Sequence, residues 1–222
     1  MDFFQNLMAA IFPPLFIIYY LYKNDLYEKE PHKLIFKTFL IGCLVPIPVL
    51  LFSFDETYYP NHFMFAMFGV AFFEEGFKFL FLRLYSYKKE DFNEPYDGIF
   101  YAVVVSMGFA LVENILYVLG NEGSEMSVAI LRCFTAIPMH ASCGVIMGYY
   151  MGKNKINSSN AFINLSMGLI FAMIIHGLYD YFLFAGYGLL FSMIVLIFAV
   201  RFSNKAINLH QEKSPFKTNR NQ

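Results

Sequence analysis

Seven stretches of about twenty predominantly apolar residues follow one another along this chain, at roughly 6–22, 34–54, 63–84, 98–120, 127–152, 161–184 and 187–203. Each approaches the ~20 residues a helix needs to cross the hydrocarbon core of a bilayer. The connections between them are short and polar, too short for a separate soluble domain. Composition agrees: of 222 residues, 58% are hydrophobic, 28 are Phe and only 15% are charged, whereas a soluble domain usually carries about 25% charge. The expected fold is therefore all-α, a polytopic membrane helix bundle of about seven transmembrane helices. The break at "FAGYG", 184–188, is weak enough that six spans remain an alternative. One domain is expected over 1–203, followed by a disordered cytoplasmic tail over 204–222. The N-terminal run lacks a basic lead and a small-x-small cleavage site, so it reads as a retained helix rather than a signal peptide.

Charge placement sets an expected orientation. Lys23, Lys29 and Lys33 fall in one connection, Arg83, Lys88 and Lys89 in another, and Lys153 and Lys155 in a third. The alternate connections, 55–62, 121–126 and 185–187, hold no Lys or Arg. Cytoplasmic loops carry the cations, which puts the N-terminus outside and the C-terminus in the cytoplasm. A net charge of -1 with no basic patch gives no sign of nucleic-acid binding. Cys43, Cys133 and Cys143 all fall inside expected helices without metal-type spacing, and read as small packing residues.

Against this background the stretch "VAFFEEGFKFLFLRLY", 70–85, is anomalous. Ionisable side chains in a bilayer are costly and mark functional sites by default. Here Glu74, Glu75, Lys78, Glu113, Arg132, His140, His176 and Asp180 come from four different spans. Lys78 lies within one helical turn of both glutamates and can neutralise one of them, which leaves the other unexplained. His176 and Asp180 share a helix face, the spacing of two ligands or of a ligating His and its orienting carboxylate. Gly144, Gly148 and Gly152 recur every four residues and suit close helix packing; His140 does not. Two His and a carboxylate make the ligand set of a hydrolytic zinc site with an open position, and a further glutamate can then serve as general base. A proton-coupled transporter or channel, using the same groups as a relay, is the alternative. No HExxH, GxSG or GxGD motif is present. From the expected helix ends, Glu75 and His140 lie on the order of 20 Å deep and Glu113 and His176 nearer ~10 Å, at ~1.5 Å per residue.

Four elements in order, EExxK at "EEGFK" (Glu74, Glu75, Lys78), FxxxE at "FALVE" (Phe109 to Glu113), "HASCG" (His140 to Gly144) and HxxxD at "HGLYD" (His176 to Asp180), resemble the PrsW family of membrane metalloproteases, distant relatives of the CAAX prenyl proteases. Glu113 stands where those relatives carry a histidine. The resemblance implies a glutamate-and-histidine peptide hydrolase acting on a membrane-anchored protein, with an anti-sigma factor cut on the outer side of a bacterial membrane as the family's known kind of substrate. On that basis Glu75 is expected to be the general base, with Glu74 held by Lys78 or sharing in water binding. His140 and His176 are expected to ligate a divalent metal, Zn²⁺ foremost, with Glu113 as third ligand or oxyanion-side partner. Asp180 is expected to orient His176, and Arg132 and Asn114 to stabilise the oxyanion.

Overall fold

A computed structural model of the chain describes residues 3–121, 123–156 and 160–220. The elements are helices α1 (Phe3–Asn24), α2 (His32–Leu44), α3 (Pro46–Phe52), α4 (His62–Met64), α5 (Phe72–Leu84), α6 (Pro95–Leu119), α7 (Glu125–Phe134), α8 (Ala136–Ile156), α9 (Ala161–Phe184) and α10 (Leu189–Glu212). A π-helical turn, Phe65–Ala71, joins α4 to α5. There is no β-strand among the described residues.

Among the described residues, six stretches are long and apolar enough to cross a membrane: Phe3–Asn24, His32–Phe52, Pro95–Leu119, Glu125–Lys155, Ala161–Phe184 and Leu189–Glu212. Residues 62–84 form a seventh continuous helical run, about 34 Å long at 1.5 Å per residue; it is the one that carries Glu74, Glu75 and Lys78. The protein is thus a multi-pass helical membrane protein. Two expected spans are broken. Pro46, which has no N–H to donate, separates α2 from α3. Thr135, at φ -125° and ψ -80°, separates α7 from α8. The second break puts His140 in the first turns of α8, at the middle of the Glu125–Lys155 span.

The interior is built on α6, every residue of which from Pro95 to Ala110 is buried. It packs most extensively on α8, then on α2 and α1, while α9 and α10 close around α8. Outward faces carry bare aliphatic and aromatic side chains such as Leu51, Phe134, Phe162 and Phe198, as lipid contact requires. The glycine spacing in α8 has the expected meaning. A Cβ on Gly148 would stand 2.2 Å from the Gly98 carbonyl oxygen, so α6 and α8 meet backbone to backbone.

The expected disordered tail from 204 is not what the fold shows. Helix α10 runs on to Glu212 because its last turn is anchored. The His210 ring stacks on Tyr149 at 4.4 Å and its Nδ1 bonds the Pro95 carbonyl at 2.9 Å. Gln211 donates to the Asn24 carbonyl at 2.8 Å. A 3-10 turn follows at Pro215–Arg220.

At the same end, the loop between α1 and α2 is tied to the start of α6 by carboxyl groups. The Tyr101 hydroxyl donates to Glu30 Oε2. The Glu30 and Asp97 carboxyls are neighbours, and two buried carboxyls side by side favour a proton on one of them. Asp97 Oδ2 accepts from the backbone N–H groups of Asn93 and Glu94 at 2.6 and 2.8 Å. Burial, reinforced by Asp97, pushes the Glu30 carboxyl up to about 10. An unfolded glutamate loses its proton near 4.5. Between these values the folded state binds the extra proton, so this group's contribution to stability falls as pH rises through that window. In Glu30→Gln, the amide carbonyl still accepts from Tyr101, and the neutral side chain beside Asp97 has no proton to lose. Thermal unfolding in detergent from pH 5 to 9 should therefore show a shallower decline in the variant, and a higher Tm than wild type at pH 8. Parallel curves would refute the protonated-carboxyl reading.

Candidate active site

Each motif supplies one helix face. On α5, Glu74, Glu75 and Lys78 lie within a single turn. On α9, His176 and Asp180 stand four apart. On α6, Glu113 and Tyr117 do the same. The π turn ahead of α5 packs onto α9 at Gly177, where a Cβ would stand 2.4 Å from Met67 Sδ. That close approach sets the two glutamates against His176.

The ligand-type atoms of Glu74, Glu75, His140 and His176 all lie within 4.8 Å of one another, and all four residues are buried. The Lys78 ammonium sits among them. It donates to Glu75 Oε1 at 2.8 Å, to Glu74 Oε2 at 3.3 Å and to His140 Nδ1 at 3.2 Å, with the Phe109 ring beneath it at 3.9 Å. An ammonium can only donate, so His140 Nδ1 is the accepting nitrogen and Nε2 carries the hydrogen. Nε2 gives it to Glu113 Oε2 at 2.8 Å. His176 is placed in parallel fashion. Its Nδ1 faces Glu75 Oε1 at 2.9 Å and its Nε2 faces Asp180 Oδ2 at 3.3 Å. Both imidazoles thus turn Nδ1 inward and hold Nε2 on an outer carboxylate. The rings meet edge to face, 5.1 Å apart.

Three sequence expectations change here. Glu113 is not among the four clustered residues; its Oε2 is taken by His140 and by Arg132 Nη2 at 2.5 Å, so it serves His140 as Asp180 serves His176. Asn114 does not face a reacting group: its NH₂ donates to the Ala10 carbonyl at 2.9 Å and its oxygen accepts from Arg132 Nε at 2.7 Å. Lys78 holds both glutamates, Glu75 more closely than Glu74. Two contributors were not foreseen. Tyr117 is the platform on which Arg132 lies, 4.0 Å from ring to guanidinium, and Phe109 supports Lys78. Their signals were present, Tyr117 lying one turn after Glu113 and Phe109 opening the FxxxE element, but aromatic residues are too common in this chain to single out.

A cavity of about 820 Å³ opens onto the cluster. Glu74, Glu113, Arg132, His140, His176 and Asp180 face it; Glu75 and Lys78 do not line it. Its walls are otherwise mostly apolar, with Phe65, Leu116, Val128, Leu131 and Leu183 among them. Phe54, Asn121 and Leu189 also line it, and they border the three connections free of Lys and Arg.

The residue types suit a metal ion. Two imidazoles and two carboxylates converge, each imidazole has a carboxylate behind it, as metal-ligating histidines almost always do, and Glu75 Oε2 is buried without a hydrogen-bond partner. Among the described residues, the four carboxylates of Glu74, Glu75, Glu113 and Asp180 share two fixed cations, Lys78 and Arg132, besides the two imidazoles. A divalent ion, or two protons, would balance them.

Comparison with known proteins decides the family. Residues 30–203 match the family described as PrsW family intramembrane metalloprotease. The chain belongs to the PrsW family. Proteins named Protease PrsW resemble it along most of its length: 36% identity with that of Oceanobacillus iheyensis over 80% of this chain and 82% of the relative, 35% with that of Shouchella clausii over 84% and 87%, and 32% with that of Bacillus subtilis over 94% and 99%. No solved structure matches significantly. As a PrsW-family member the chain is an intramembrane protease, a peptidase acting on protein substrates in a membrane setting. The family's description as metalloproteases accords with the buried Glu/His group.

Proposed function

We propose that Glu74, Glu75, His140 and His176 form the hydrolytic centre. The observation that carries this reading is the convergence of four buried metal-type residues from α5, α8 and α9, three of which, Glu74, His140 and His176, line the cavity. His140, His176 and Glu75 would hold a divalent ion; Zn²⁺ suits a set of imidazole nitrogens and carboxylate oxygens. When bound, the ion supplies Lewis-acid polarisation and a water made acidic enough to attack at neutral pH.

The remaining work falls to the chain's own side chains. Glu74 is the glutamate that faces the cavity, so it is the general base: it takes the proton from the attacking water and returns it to the departing amine. Asp180 and Glu113 fix the two imidazoles. Arg132, clamped by Glu113, Asn114 and Tyr117, is the cation on the cavity wall and lies on the oxyanion side; Asn114 acts through it as a positioning residue. The apolar walls would accept an extended stretch of a membrane-anchored protein and keep bulk water from the reacting bond.

The cavity reaches Phe54, Asn121 and Leu189, beside the connections that lack Lys and Arg. The same charge asymmetry supports a cavity opening toward the outer face of the cell membrane and a C-terminus in the cytoplasm. A single-pass anti-sigma factor cut near its outer boundary is the substrate that the motif resemblance points to. In proteoliposomes, a single-pass reporter whose helix-breaking, cleavable stretch lies at its outer end should be cut. A reporter with that stretch at its cytoplasmic end should not. Cleavage of only the second reporter would overturn the orientation.

A further inference from the structure

The reading above leaves Lys78 in an unusual place. Its ammonium donates to Glu75 Oε1, Glu74 Oε2 and His140 Nδ1. These atoms belong to three of the four residues gathered for a metal, and the lone pairs that accept from the ammonium are those a metal ion would need. Lys78 is 1% exposed, so it has no water to retreat to. A dication brought into the group also meets a fixed positive charge at hydrogen-bond distance from its ligands. The side chain does have a resting surface: the face of Phe109, 3.9 Å from Nζ, stabilises a desolvated ammonium by cation–π attraction.

We infer that Lys78 is a built-in competitor for the metal, an internal cation that fills the site in the metal-free protein and sets how tightly an ion is held. The arrangement solves a folding problem. Two adjacent buried carboxylates must enter the membrane interior before any ion is present, and unpaired charges there are expensive. Lys78, on the same helix turn, neutralises them during insertion. The ion then enters by displacing ammonium hydrogen bonds rather than by filling an open cage. The flexible four-carbon stem of lysine permits this shift, where the planar guanidinium of arginine would not.

This inference rests on the metal reading, and its test separates the two. Zinc affinity is measured on purified, chelator-stripped protein in detergent by competition with a chromophoric zinc chelator, and Tm is recorded with and without zinc. Lys78→Met keeps the length and apolar stem and removes the charge. It should bind zinc at least tenfold more tightly than wild type, and its metal-free Tm should be lower, with the gap closing on zinc saturation. If Lys78→Met does not accumulate in the membrane, Lys78→Gln, neutral but still a donor, should show the same tightening to a smaller degree. Equal or weaker zinc affinity in the neutral variants, with zinc bound by wild type, overturns the competitor role and leaves the metal site standing. Failure of wild type and variants alike to bind zinc overturns the metal site and the competitor role together.

Discussion

Glu74→Gln should abolish cleavage of a single-pass reporter while the protein stays inserted and folded. The variant keeps the side chain's shape, and Gln can still accept from Lys78, so little of the packing changes. What it removes is the only one of the two adjacent glutamates that faces the cavity. Loss of a general base costs on the order of 10²- to 10⁴-fold in rate. Glu75→Gln should also lose activity, by another route. Glu75 is 0% exposed and engages Lys78 and His176 at 2.8 and 2.9 Å. Removing one partner of a buried ion pair typically costs about 3–5 kcal/mol, so this variant should unfold at distinctly lower temperature, whereas Glu74→Gln should not. Single-turnover cleavage beside thermal unfolding separates the two. Full activity in Glu74→Gln, with loss in a thermally intact Glu75→Gln, would restore the expectation that accompanied the family resemblance, with Glu75 as base.

That first assignment shows where reading the residues stops. Two carboxylates adjacent on a helix point about 100° apart, and no local pattern says which direction the cavity takes. The cavity is made by α3, the π turn, α5, α6, α7, α8 and α9 together, and the π turn rotates α5 by an amount that a 3.6-residue period does not anticipate. The same limit applies to Glu113. Its place in the FxxxE element marks it as part of the site, but whether it reaches the centre or stands behind His140 depends on Arg132, which arrives from α7, beyond the α6–α7 connection. The break at Thr135 did have a cue in Pro138, which has no N–H to give the Phe134 carbonyl and whose ring crowds it, but the apolar run around it reads as one continuous span. The tail was misread because a polar composition suits disorder equally well as a helix anchored by two residues, His210 and Gln211.

What the sequence did carry is the chemistry. A bilayer-spanning chain cannot hide ionisable groups by chance, so the eight placed in its apolar runs were conspicuous, and their helical spacings of three and four already implied shared faces. The structure brings Glu74, Glu75, Lys78, Glu113, Arg132, His140, His176 and Asp180 into one connected network. The glycines were equally legible. Their four-residue spacing in α8 has a physical meaning only if a second backbone lies against it, and at Gly98 it does.

The central claim is that these buried groups hold a metal ion for hydrolysis. Its largest consequence concerns the two imidazoles. Each turns Nδ1 inward and has its Nε2 committed to an outer carboxylate, so truncating both removes two of the four candidate ligands and leaves only carboxylates beside Lys78. The site should then lose its ion altogether. The measurement is elemental analysis of the detergent-purified protein, at neutral pH and without chelator, beside the His140→Ala/His176→Ala double variant. The account predicts close to one zinc per chain in the wild type and none in the variant. A wild-type protein that cleaves its reporter while carrying no metal, or a variant that retains the wild-type zinc content, would contradict it.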